Sequence, residues 1–291
     1  MLKHAREPVE SIALPDFGAV RITGSDGVRF LQGQLSNDVQ LLSSEHSLLA
    51  GYHNPQGRTI ALLHLVRTGP EEILAILPRE LAARVAARLA KFILRAKVAI
   101  QDVSDSVRID GLVAQADSPP AAGVASATLV RLAKESHRWL AIQAADAVNP
   151  TSGDRSRWRW MDIAAGLPQV YAASSEEFVA QMLNLDALGA IAFDKGCYTG
   201  QEVIARAHYR GRVKRRMQRF VTHAAQEFAP GAAGRLADGR AFKIVDAVRL
   251  DDGACEFLAV AATSARDEAP GEDAAVPIEA RPLPLPYELP Q

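Results

Sequence analysis

The chain has 291 residues, 48% of them hydrophobic and 23% charged, which is enough for about two to three domains and far from the composition of disordered chains. Lys and Arg number 33 against 34 Asp and Glu, a formal net charge of -1; this excludes a global electrostatic pull toward nucleic acid or membrane and leaves only local patches to supply one. With no apolar run of about 18 residues and no apolar core of signal-peptide length near Met1, a cytoplasmic protein without membrane contact is expected, with Cys197 and Cys255 as free thiols.

Residues 19–23 read as a short strand, and Gly24-Ser25-Asp26-Gly27 turns it into a helix whose Val28, Leu31, Leu35 and Val39 keep helical spacing. Gly33 lies inside that predicted helix and weakens it by about 1 kcal/mol relative to Ala. Residues 47–53 and 58–66 are predicted strands joined by the turn Asn54-Pro55-Gln56-Gly57, and residues 73–77 make a third. Pro78 opens an amphipathic helix that buries Leu81, Val85, Leu89 and Phe92 and turns Arg79, Arg84, Arg88 and Lys91 elsewhere.

Further strands are expected at 96–101, 107–115, 128–132 and 138–143, divided by the loops Asp117-Ser118-Pro119-Pro120 and Lys134-Glu135-Ser136-His137. Strands with one long helix suggest an α+β middle domain. The breaker-rich Asn149-Pro150-Thr151-Ser152-Gly153-Asp154 marks the best internal boundary, and Trp158 and Trp160 follow it. Ser174 and Glu177 fit a capping box for a helix through Phe178, Met182 and Leu183, and another helix is expected over residues 200–209. Strands at 216–222, 241–250 and 256–262 with glycine turns between them favour a small β-barrel. The prolines of Arg281-Pro282-Leu283-Pro284-Leu285-Pro286-Tyr287 keep the tail extended.

The densest chemistry lies in Lys195-Gly196-Cys197-Tyr198-Thr199-Gly200-Gln201-Glu202. A helix starting near Thr199 or Gly200 and the cation of Lys195 both favour a thiolate at Cys197; the alternative is a buried cysteine that fills space. His208 and His223 are the candidate bases of a cysteine hydrolase, but nothing in the sequence brings either to Cys197. Two cysteines in different predicted domains are too few to hold an iron-sulfur cluster by thiolates alone, so no metal site is expected. Gln201 and Glu202 offer an amide and a carboxylate; the carboxylate can accept paired hydrogen bonds from an amidine-like edge such as a pterin ring, or simply face the helix dipole. Arg206, Arg210, Arg212, Lys214, Arg215, Arg216 and Arg219 form the strongest basic run, either a solvated face or a grip for phosphate, polyglutamate or a weak RNA contact.

On these residues the chain resembles the YgfZ family of folate-binding, iron-sulfur-associated proteins, relatives of the glycine-cleavage T-protein aminomethyltransferase. The octapeptide from Lys195 to Glu202 matches the family signature, and Gln181, Asn184, Leu185, Leu188, Gly189, Phe193 and Arg206 fit its flanks. Further matches are Phe30-Leu31-Gln32-Gly33-Gln34, Asp38-Val39, Pro55-Gln56-Gly57-Arg58, Arg95-Ala96-Lys97-Val98, residues 163–168 and Pro284-Leu285-Pro286-Tyr287, so the resemblance covers most of the chain.

The resemblance implies an α+β fold of three domains in a ring around a central channel: a discontinuous first domain (1–46 and 152–212) carrying the signature, an α+β middle domain (47–151), and a C-terminal β-barrel (213–291). It implies tetrahydrofolate or a derivative as cofactor, stacked between Phe17 and Trp158, with Gln201 and Glu202 beside it and Cys197 as the functionally important residue. Phe17 stands where the family often has Trp, which keeps stacking but loses an indole N–H. The role implied is support for the assembly or repair of iron-sulfur enzymes, including radical enzymes that thiomethylate tRNA; the partners would be those enzymes or cluster-assembly proteins. The alternative is a folate-dependent aminomethyl or one-carbon transferase. T-proteins, however, lack the cysteine signature, and the Asp that assists transfer in them has no equivalent that can be placed in this chain.

Overall fold

A computed structural model describes residues 9–114, 127–132, 137–148, 153–211, 213–264 and 277–290. The elements in chain order are β1 (Glu10–Ala13), β2 (Phe17–Thr23), α1 (Gly27–Gln32), β3 (Leu48–His53), β4 (Thr59–Gly69), β5 (Glu72–Pro78), α2 (Arg79–Ala90), β6 (Ala99–Asp102), β7 (Val107–Val113), β8 (Thr128–Arg131), β9 (Arg138–Ala144), α3 (Arg155–Ala164), α4 (Gln201–Tyr209), β10 (Arg215–Thr222), β11 (Ala233–Arg235), β12 (Ala241–Arg249), β13 (Cys255–Ala262) and β14 (Arg281–Leu283). This is the mixed α and β content the sequence predicts. The chain groups into two compact units, one of residues 1–27, 41–47 and 64–158, the other of residues 28–40, 48–63 and 159–291.

In the first unit β5, β2 and β6 pair antiparallel, and residues 64–69 of β4 pair with β5. Helix α2 packs on β2, β5 and β6 through Leu81, Ala82, Val85, Ala86 and Leu89, the buried stripe its periodicity predicts. Pro78 is the cap rather than the first helical residue, and the helix stops at Ala90. Phe92 therefore falls out of phase and is about half exposed instead of buried. A second antiparallel sheet, ordered β1-β7-β9-β8, encloses Leu112, Trp139 and Ala141. The loop at 117–120, residues 133–136 and residues 149–152 of the predicted boundary lie outside the described residues.

In the second unit the sheet ordered β11-β12-β13-β10-β14 buries Phe220, Phe242, Phe257 and Ile244 on one face. Among the described residues the expected closed barrel is not formed by paired strands: β11 and β14 are both edges, with an isolated bridge between Leu236 and Ile278 beside them. Three-residue edge strands carry too few ladder bonds to close the sheet.

Two predicted helices take other forms. The helix read through Leu35 and Val39 ends at Gln32, because Gly33 weakens it and Ser36 N–H donates to the Gly51 carbonyl (3.0 Å) rather than continuing the helical ladder. Leu35 and Val39 are buried all the same, Leu35 through a bridge to Tyr52. The helix read over Phe178 to Leu183 is instead a pair of 3-10 turns, Ala172–Ser174 and Ala180–Leu183. Ser174 Oγ accepts the Tyr171 N–H at 3.1 Å and so caps the earlier turn, and Asn184 ends the later one in the left-handed region (φ 57°).

Candidate functional site

The signature octapeptide is a short irregular segment running into α4, and most of its residues hold backbone in place. Lys195 Nζ donates to three carbonyls, those of Gln32 (2.8 Å), Leu35 (2.7 Å) and Asn37 (2.7 Å), and lies 5.1 Å from the centre of the Tyr198 ring. Burial lowers its pKa to about 8, against the opposing pull of Asp38. The cation expected beside the thiol thus spends its donors on the turn after α1, joining Phe30-Leu31-Gln32-Gly33-Gln34 to the signature. Tyr198 is buried, and burial pushes its phenol up to about 12.

Gly200 caps α4 with φ 83°, a left-handed conformation that favours glycine. A Cβ there would stand 2.6 Å from the Asn54 carbonyl oxygen and 3.1 Å from Gly57 Cα. Gly57, at φ 71°, closes the Asn54 to Arg58 turn, where the Asn54 side chain accepts the N–H groups of Gln56 and Arg58 at 3.0 Å each. Two sequence-distant motifs therefore meet glycine to glycine at the start of α4. Gln181 Nε2 holds the helix from below through the Ile204 carbonyl (2.6 Å), and Asn184 Nδ2 reaches the Met217 carbonyl (2.9 Å) and the Tyr287 hydroxyl (3.3 Å).

Against this scaffold, Cys197 is exposed. Gly196 is exposed too, and a Cβ on it would touch nothing within 4 Å, so the approach to the thiol is open. Thr199 and Gln201 are half-buried; Glu202 projects into solvent and pairs with Arg206 at 3.5 Å along the helix, a contact of small energetic weight. Neither candidate base is oriented by a third group toward the thiol: His208 stacks on Phe193 (3.8 Å between centroids, 15° between planes), and His223 is exposed beyond the end of β10. Cys255 is buried in β13 and both thiols are free. Among the described residues no group of three or more His, Cys, Asp or Glu side chains could hold a metal ion, and no helix is long and apolar enough to cross a membrane. Arg212 of the basic run lies outside the described residues.

The two aromatic positions expected to flank a ligand both fall in the first unit. Phe17 opens β2 opposite Pro78 and is half-buried. Trp158 is only 2% exposed: its benzo half packs against Gly111, where an added Cβ would come within 2.5 Å, and the Arg138 guanidinium lies 5.1 Å from its centre. Its Nε1 is buried with no partner among the described residues. Neither the ring face nor the Nε1 edge of this residue is open to solvent.

The sequence does not single out the buried Asp246 and its partly exposed partners Arg159 and Tyr171. Arg159 pairs with Asp246, whose second oxygen accepts the Tyr171 hydroxyl at 3.1 Å. Burial raises the Asp246 pKa while Arg159 opposes it. An aspartate inside the apolar run Phe242-Lys243-Ile244-Val245-Asp246-Ala247-Val248 was the available signal. His53, at the end of β3, is also buried, and neither ring nitrogen has a partner among the described residues.

The architecture is that of the aminomethyltransferase T class: the glycine cleavage system aminomethyltransferase T of Bartonella henselae superposes with a TM-score of 0.63 over 89% of this chain and 80% of its own, at 12% identity. No protein-family model matches the chain. The chain belongs to the YgfZ family. It is 32% identical to the tRNA-modifying protein YgfZ of Yersinia pestis (strain Pestoides F), with 97% of this chain and 93% of the relative covered. It is 30% identical to that of Cronobacter sakazakii (strain ATCC BAA-894), covering 86% and 83%.

Proposed function

We propose that this protein is a folate-binding accessory factor that supports the assembly or repair of iron-sulfur enzymes, among them radical enzymes that thiomethylate tRNA. The observation that carries this reading is the exposure of Cys197 within a signature whose Lys195, Tyr198 and Gly200 are all spent on structure. A thiol held open on a loop anchored by Lys195, without an oriented base, suits delivery to a partner protein better than hydrolysis at an enclosed site. The names of the relatives as tRNA-modifying proteins support the link to tRNA modification.

The aminomethyltransferase T fold supports a folate ligand. We assign Phe17, Trp158, Gln201 and Glu202 to it. When bound, tetrahydrofolate supplies a reduced pteridine able to carry one-carbon units. The domains that go with this role are a discontinuous first domain (1–46 and 152–212), a middle domain (47–151) and a C-terminal domain (213–291).

Two measurements test the reading. Titration with tetrahydrofolate should give saturable quenching of tryptophan fluorescence, weakened in Trp158→Phe; the absence of saturation refutes the folate assignment. Cys197→Ala should fail to restore iron-sulfur enzyme activity in a strain lacking this protein, and full restoration makes the thiol irrelevant. The shared fold also favours a second reading, a folate-dependent one-carbon transferase. Turnover of tetrahydrofolate with a one-carbon donor would establish it.

A further inference from the structure

A cavity of about 240 Å³ opens at the C-terminal end of α4, away from Cys197 at its other end. That is smaller than the usual pocket for a drug-sized molecule, and its scale is that of a single flat ring system. Its lining includes Ala207, His208, Gly211 and Val213, interleaved in sequence with the exposed cations Arg206, Arg210 and Lys214. Phe193 backs the His208 ring, and Tyr209, largely exposed, meets that ring edge-on at 4.8 Å, so the His208 ring is held by its two aromatic neighbours. Asp186 and Arg216 also line the cavity, locked to each other by two hydrogen bonds of 2.8 and 2.9 Å. Such a buried, mutually neutralised pair supplies polar edges without net charge.

A ring-sized cavity walled by the His208 imidazole, with exposed cations next in the chain to its lining residues, is a combination suited to single-stranded nucleic acid: the ring stacks a base and neighbouring cations grip its flanking phosphates. We infer that this cavity accepts one unpaired base of a single-stranded RNA segment, stacked against His208, with Arg206, Arg210 and Lys214 on the adjoining phosphates. The site goes beyond the accessory role proposed above and does not need folate; a protein that failed the folate titration could still pass this test.

The test uses the full chain and fluorescence anisotropy with an end-labelled eight-nucleotide oligoadenylate and an abasic oligomer of the same length. The base-bearing oligomer should bind about fivefold or more tighter than the abasic one, and His208→Ala should remove most of that difference. Ala207→Leu, which narrows the cavity while keeping a good helix former and every cation, should do the same. Arg210→Ala with Lys214→Ala should weaken both oligomers alike and flatten the slope of log affinity against log salt by about 0.7 for each phosphate no longer neutralised. Equal binding of the two oligomers by the wild-type protein would reduce the surface to charge attraction and overturn the inference. Adenosine monophosphate displacing the oligomer at equal concentration would overturn the RNA assignment in favour of a mononucleotide site.

Discussion

The ammonium of Lys195 stands 2.7 Å from the carbonyl oxygen of Leu35, and the same nitrogen reaches the carbonyls of Gln32 and Asn37. One side chain thus closes three acceptors in the turn after α1. It joins two segments more than 150 positions apart, and the signature loop is anchored at its first residue. Lys195→Met keeps the aliphatic stem and removes the donors. Because the ammonium is only half-buried, water can re-solvate part of the turn, and we expect a loss of about 2 kcal/mol in urea unfolding. Lys195→Arg should not restore it, since a planar guanidinium cannot converge on three carbonyls arranged around a point charge. A wild-type unfolding midpoint in Lys195→Met would show the contacts to be energetically idle, and one in Lys195→Arg would show that a guanidinium serves the same carbonyls.

The two thiols should separate cleanly in a reactivity assay. Cys197 is exposed, whereas Cys255 lies in β13 under the sheet core and burial raises its pKa. One equivalent of a thiol-exchange reagent should react rapidly with the native protein, the second only on unfolding in denaturant, and Cys197→Ser should abolish the fast phase alone. Two fast equivalents in the wild type would contradict the burial of Cys255.

The strands were legible because their apolar alternation and turn residues are local. Residues 241–250 read as a strand that the fold ends at Arg249, and Asn54-Pro55-Gln56-Gly57 forms the turn expected of it. Helix α4 was legible from Gly200 onward. What the sequence hid were elements decided by distant contacts. The helix through Leu35 is cut short where Lys195 and Gly51 take its polar groups, and no window of local residues contains either partner. Helix α3 was not read at all, because Arg155-Ser156-Arg157-Trp158-Arg159-Trp160 shows no apolar stripe of helical period. For the site, Cys197 and its neighbours stood out in the sequence, but the engagement of Lys195 and the burial of Trp158 against Gly111 are properties of packing alone.

Gly111 has no left-handed conformation to preserve; its lack of a side chain is required by the Trp158 ring across from it. In Gly111→Ala the new methyl would overlap Cε3 and Cζ3 of the indole, which is confined further by the Arg138 guanidinium. Overpacking of this kind should lower stability by about 1–3 kcal/mol and shift the tryptophan emission as the indole is displaced. Trp158→Phe in the same background should recover part of the loss, because the smaller ring vacates the space the methyl needs. Additive losses in the double variant would mean the two positions do not interact.

Acid should unfold the protein through its buried histidines. Burial lowers His53 from 6.5 to about 3, and burial together with the Arg138 charge lowers His64 to about 4. Between those values and 6.5 the unfolded chain takes up protons that the folded chain refuses, so stability is complete above pH 6.5 and falls as the pH drops through the window. At pH 5 the two rings together should cost about 4 kcal/mol relative to pH 7.5, roughly 2 for each. Urea unfolding at the two pH values measures the difference. His53→Gln, which cannot titrate, should reduce the acid sensitivity by about half even if it lowers stability at both pH values. An unchanged pH dependence in that variant would mean that the buried His53 ring is protonated as readily in the fold as in water.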